Sequence, residues 1–224
     1  GVTGVQTCAL PISTRPTPDG RGEAPLALAP RRCHAWRMDV AVVGCGTAGA
    51  AAALFLARAG HRVTTLERVP DPGPVGAGIT LQPTGQAVLA ELGLLAPVLD
   101  HGARVDRLHA RTATGRTLVD LRYDDVDAAF FGLGIHRGVL FQTLFDAVRS
   151  EPGVTLRCGV GVDGTELRGD GRWLRAGSDW LGPFDLVVAA DGSVSELHAS
   201  AGIPWRNRPY PWGALWFVAD DPED

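Results

Sequence analysis

Between Asp39 and Glu67 the hydrophobic pattern changes its period twice. Val40-Ala41-Val42-Val43 is an unbroken apolar run between Asp39 and Gly44, the mark of a short strand buried on both faces. Ala48 to Ala59 consists of strong helix formers and is followed by Gly60, which predicts a helix capped at that glycine. His61–Leu66 returns to a strand pattern that Glu67 closes. Next, a Pro/Gly loop leads through Gly76-Ala77-Gly78-Ile79 into a predicted helix with apolar residues at Val88, Leu92 and Leu95. Another helix opens at Arg137 with Leu140 on its first turn. Residues 154–192 are patterned as a strand, a β-meander and a return strand, DLVVAADG, expected to be a central parallel strand feeding a loop at the sheet's carboxyl edge. Strands alternating with helices predict an α/β fold built on a parallel sheet.

Residues 1–37 follow no such pattern. They are rich in Pro, Arg and Gly, a composition of loop or disorder. Val2–Ile12 resembles, residue for residue, the translation of a sequencing-library adapter. The only methionine, Met38, stands directly before the first strand, so translation is expected to start there and residues 1–37 are expected to be a non-native leader.

Composition narrows the function. The 224 residues carry a net charge of −4, against a nucleic-acid binder with its basic face. All 21 basic residues are Arg, which removes Schiff-base and P-loop lysines from this chain. Cys8, Cys33, Cys45 and Cys158 have no CxxC or metal-ligand spacing, so no metal site or disulfide framework is expected and a reducing, cytoplasmic setting is the default. No stretch reaches the roughly 20 apolar residues of a membrane span.

The chemistry concentrates at the first strand–helix turn. Gly44-Cys45-Gly46-Thr47-Ala48-Gly49 has the spacing of a dinucleotide fingerprint. Gly44 makes the tight turn, Gly46 lets backbone approach a diphosphate, and Gly49 lets helix pack on strand. The helix start at Thr47 and Ala48 offers free N–H groups to the anion. Glu67, 18 residues beyond Gly49, can accept hydrogen bonds from the ribose hydroxyls of an adenosine, with Arg68 beside it. Asp191 and Gly192 end the return strand at the same sheet edge; Asp191 faces the cofactor or caps the next helix, and the two roles are compatible. Arg137 either pairs with a phosphate oxygen or is a solvated surface residue. His136 is expected to pack or cap, and the Asp124, Asp125, Asp127 cluster beside Tyr123 is expected to be a solvated loop. Trp205, Trp212 and Trp216 fit core packing as well as a stacking pocket. No side chain is nominated as catalytic. The fingerprint alone leaves NAD and FAD both open.

The order of motifs resembles the FAD-dependent aromatic hydroxylases, the p-hydroxybenzoate hydroxylase-like flavoprotein monooxygenases. The matching features are the glycine loop, Gly76–Ile79, Arg137-x-x-Leu140, the meander, and Asp191-Gly192 with Ser195. The resemblance implies FAD as cofactor, NAD(P)H as co-substrate, and O2 activated as a flavin C4a-hydroperoxide to hydroxylate an aromatic or polyketide-like small molecule. It also implies that Val162 touches the adenine. It implies a Rossmann-like FAD-binding domain over 38–203, interleaved substrate-domain elements at about 76–133, and the start of a mixed-sheet substrate domain at 204–224. His198 stands where the family commonly has Arg, and the family's third motif, a Gly-Asp pair before a helix that holds the flavin's ribityl chain, is not in the sequence. The resemblance thus covers the first half of such an enzyme. A flavin reductase on the same scaffold and an inactive nucleotide-binding fragment are the alternatives.

Overall fold

A computed structural model describes residues 37–202 except Val75, together with Pro204, Arg206, Arg208 and Pro211. The leader through Trp36, with Cys8 and Cys33, lies outside the described residues, as do Trp205, Trp212 and Trp216.

The first strand, β1 (Asp39–Val43), leads through the glycine loop into α1 (Thr47–Arg58) and back to β2 (Arg62–Glu67). Alternation in β1 explains its continuous apolar run. Val40 and Val42 pack with Ala53 of α1 on one face. Ala41 and Val43 pack with Leu66 and Leu174 on the other. Beyond α1, Gly60 N–H donates to Ala57 O and His61 N–H to Leu56 O, the paired bonds that close a helix in a Schellman motif.

After β2 come β3 (Gly78–Leu81), α2 (Pro83–Glu91), α3 (Leu95–Leu99), β4 (Gly102–Val105) and the hairpin β5 (Arg107–Arg111) and β6 (Thr117–Arg122). They are followed by β7 (Gly132–His136) and α4 (Arg137–Ser150). The single helix expected through Val88, Leu92 and Leu95 is two helices. Gly93 adopts φ +66°, a left-handed turn that glycine takes without penalty, and Leu94 N–H reaches back to Leu89 O. In α2 the buried positions are Gln86 and Leu89, while Val88 faces outward. The Gln86 amide donates to Leu81 O and Phe131 O, so a buried polar group is satisfied while it ties β3 to the approach of β7.

The last segment is β8 (Val154–Cys158), the meander β9 (Gly164–Arg168), β10 (Gly171–Ala176) and β11 (Asp179–Phe184), then β12 (Leu186–Ala189) and α5 (Leu197–Ser200). The parallel sheet has the order β12-β1-β2-β8, with antiparallel sheets β11-β10-β9, β3-β7-β4 and β5-β6. β12 was expected to be central. Among the described residues it pairs with β1 alone, Val40 opposite Leu186, and Leu186 stays 38% exposed.

Two polar joints hold the layers. Arg58, at the end of α1, donates to Leu92 O beyond α2 at 2.8 Å and to Glu151 beyond α4 at 3.2 Å. At the amino ends of the parallel strands, Arg62 grips Asp39 with two hydrogen bonds. Asp39 N–H donates to Asp185 Oδ2 and Asp185 N–H to Asp39 O.

Candidate functional site

The glycine loop lies at the carboxyl edge of the parallel sheet, where open α/β sheets bind ligands. Gly44 has φ +96°, and a Cβ there would stand 2.4 Å from Ala190 O. A Cβ on Gly49 would stand 1.9 Å from Gly44 O. Both glycines are therefore required by the packing of strand, turn and helix. Gly46 differs. Its backbone is extended, with φ −70° and ψ −176°, and a Cβ there would meet nothing within 4 Å. Nothing among the described residues demands glycine at 46.

Gly46 is also the N-cap of α1, with no capping side chain and no acid in the first turn. Thr47 and Ala48 are exposed there and Gly49 is buried. The partial positive charge of the helix end is left for an external anion. Across the loop, Glu67 accepts from Cys45 N–H at 2.8 Å through Oε2 and from Val69 N–H at 2.9 Å through Oε1. A carboxylate has about four acceptor sites, so two remain for ribose hydroxyls.

A cleft of about 490 Å³ opens beside this loop. Seven of the residues predicted from sequence line it: Gly44, Gly46, Glu67, Arg68, Val162, Asp191 and Gly192. Asp191 Oδ2 accepts from Glu196 N–H at 3.3 Å; the N-cap of α5 is Glu196 and not Asp191, so Asp191 lines the cleft and braces the turn before that helix. Arg137 is not in the cleft lining; it opens α4, and its side chain packs over Gly76. His136 caps α4, its Nδ1 accepting from Gly138 N–H at 3.0 Å. In the expected acidic loop Asp124 pairs with Arg122 at the surface, whereas Tyr123 is buried and donates to Gln82.

Cleft residues that sequence reasoning missed include Val160, Gly161 and Asp163. They sit in irregular backbone between β8 and β9, where no periodic pattern marks them; the only signal was their nearness to Val162. A wider hollow of about 750 Å³ lies on the β3-β7-β4 sheet with His101 and His136 at its edge, and a third of about 700 Å³ lies between β12, the meander and α5. Neither contains a residue predicted to bind cofactor.

Cys45 is sealed beneath the loop. Burial pushes its thiol up to about 12, and the nearby Glu67 carboxylate and Cys158 add to the rise. Such a thiol is a packing group and not a nucleophile. Among the described residues there is no cluster of three metal-ligating side chains, and no helix is long and apolar enough to cross a membrane.

Comparison with known proteins agrees with this geometry. A family model described as FAD binding domain matches residues 37–223. The chain is 34% identical over 184 residues to 6-methylpretetramide 4-monooxygenase of Streptomyces rimosus, covering 80% of this chain and 44% of that protein. It is 36% identical over 200 residues to kynurenine 3-monooxygenase of Salinispora arenicola, covering 79% and 42%. Among solved structures, PqsL of Pseudomonas aeruginosa superimposes with a TM-score of 0.64 at 28% identity, covering 78% of this chain and 48% of that one. The chain spans less than half the length of these relatives. A glycine loop, a carboxylate at the end of β2 and a family match over residues 37–223 converge: this protein belongs to the FAD binding domain family, alongside FAD-dependent monooxygenases of the aromatic-hydroxylase type.

Proposed function

We propose that this chain is the FAD-binding part of a monooxygenase that uses NAD(P)H and O2 to hydroxylate an aromatic or polyketide-like small molecule. Gly46 carries the reading: it is a glycine that neither backbone conformation nor packing among the described residues requires, at a helix end with no capping side chain and no acid in its own first turn. The space a side chain would fill is the cradle a diphosphate needs. Relatives named as monooxygenases of kynurenine and of 6-methylpretetramide support the substrate class.

The residues divide the work. The N–H groups at Thr47 and Ala48 take the diphosphate. Glu67, already oriented by two backbone donors, takes the ribose and would repel a 2′-phosphate. Arg68 and Val162 flank the adenosine, and Asp191 with Gly192 closes the diphosphate end. Arg137 serves a phosphate only if its side chain leaves Gly76. When bound, FAD supplies electron transfer and oxygen activation that no side chain here can perform. Residues 38–203 form the FAD-binding domain in this reading. The elements at about 76–133 belong to the substrate domain, and residues 204–224 are its start.

The test is the full-length protein with added FAD. It should acquire a bound flavin spectrum and, given an electron-rich aromatic compound, consume NAD(P)H and O2 together. Protein that stays apo at saturating FAD ends the proposal. Flavin reduction with no substrate-dependent O2 uptake would make it a reductase.

A further inference from the structure

One wall of the cleft is the irregular segment Val160–Asp163, which no sheet ladder holds. It is anchored at both ends. Val160 N–H donates to Glu67 O at 2.8 Å. At the other end Asp163 N–H donates to Arg175 O at 3.0 Å, and Arg175 Nε donates to Asp163 Oδ1 at 2.8 Å. Arg175 therefore grips Asp163 through both backbone and side chain. In the β9–β10 pairing, Arg175 lies opposite Gly164. A Cβ at 164 would stand 3.2 Å from Nη2 and 3.4 Å from Cζ and Nε of Arg175, tighter than ordinary contact. Glycine at 164 leaves the guanidinium room to cross the strand toward Asp163.

An ion pair whose two side chains are about half exposed adds little to global stability. Its effect is local: it fixes where the meander begins, and hence where Val162 stands in the cleft. We propose that Arg175 is a positioning residue for the adenosine half of the dinucleotide, latching the Val160–Asp163 wall through Asp163 in a groove that Gly164 opens. The inference rests on the FAD reading above. A wall set before binding need not be ordered by the ligand, and affinity gains what that ordering would cost.

The test compares FAD and ADP, which share the adenosine half, in binding titrations of the full-length apo protein. Arg175→Met should weaken both ligands equally, by about five-fold, the upper range for an exposed pair. Its melting temperature should stay near that of the parent. In 1 M salt the parent-to-variant ratio should shrink toward one, because the pair is screened. Arg175→Lys should recover part of the loss. Gly164→Ala, which keeps both charges but crowds the guanidinium, should weaken both ligands by less than Arg175→Met does. Should Arg175→Met fail to fold, the Lys and Gly164→Ala variants carry the same comparison. Parent-like affinity for both ligands in these variants overturns the latch, as does a loss for FAD that ADP does not share. A parent protein that binds neither ligand overturns the FAD reading itself.

Discussion

The backbone N–H of Cys45 donates to one carboxylate oxygen of Glu67, 22 residues away in sequence, while the other oxygen holds Val69 N–H. The acid at the end of β2 is thus part of the glycine loop's own structure before any ligand arrives. Glu67→Gln is not conservative here, because its amide NH2 must face one of the two backbone donors. With its oxygen kept on the part-buried Cys45 N–H and its NH2 turned to the exposed Val69 N–H, the substitution should destabilise the fold by about 0.5–1.5 kcal/mol, the worth of one hydrogen bond. Urea unfolding measures that loss, and a flavin titration should show FAD affinity falling with it.

Two of the loop glycines, Gly46 and Gly49, should separate cleanly on substitution. Gly49→Ala puts a Cβ against Gly44 O and should cost about 3 kcal/mol or more as overpacking. Gly46→Ala enters open space and should lower stability by only about 0.5–1 kcal/mol, because alanine is a poorer N-cap than glycine. It should nonetheless weaken FAD about ten-fold or more, because the methyl stands where the diphosphate must approach. Paired thermal melts and flavin titrations would show this; a Gly46→Ala protein binding FAD normally would remove the cradle from the account.

Cys45 should resist alkylation. With its thiol pushed up to about 12, roughly one molecule in ten thousand is a thiolate at pH 8. Native iodoacetamide labelling followed by mass spectrometry should leave Cys45 unmodified, and the same treatment in urea should label it. Rapid native labelling would mean that the loop opens.

The joint of Asp39 and Arg62 should give way in acid. The Arg62 guanidinium holds the Asp39 carboxyl below its ordinary value of 3.8. A group depressed in the folded state stabilises above its unfolded value and loses that contribution as pH falls through the folded one. Asp39→Asn should therefore be less stable than the parent at pH 7, and the gap should close as pH drops below about 3.8. Denaturation midpoints at pH 7, 4 and 2.5 would trace it; a gap independent of pH would mean that the carboxylate's charge does not matter.

Much of the architecture was legible because it rests on local signals. The apolar run at Val40–Val43, the helix formers before Gly60 and the Arg137 helix all appear as elements, displaced by a residue at most. What local patterning missed was set by tertiary context. Gly93 divides the helix expected through Val88 and Leu95, because a left-handed residue can close one helix and begin another. That β12 pairs with β1 alone among the described residues depends on which strands lie beside it, and five apolar residues in a row carry no sign of that. That Gly44, Gly46 and Glu67 would face one cleft was legible from the glycine spacing. Arg137 was not, since its reach depends on a side chain that packs over Gly76, and Asp163 was not, since its partner Arg175 comes from another strand.

Arg58 joins segments that are 34 and 93 residues apart along the chain. Bonds across such separations close only after the intervening polypeptide has collapsed. The clamp therefore belongs to the late side of the folding barrier, and its removal should leave the refolding rate nearly unchanged while the native state opens faster. Stopped-flow chevrons of Arg58→Ala would show the effect in the unfolding limb, making this side chain a guardian of lifetime more than of speed.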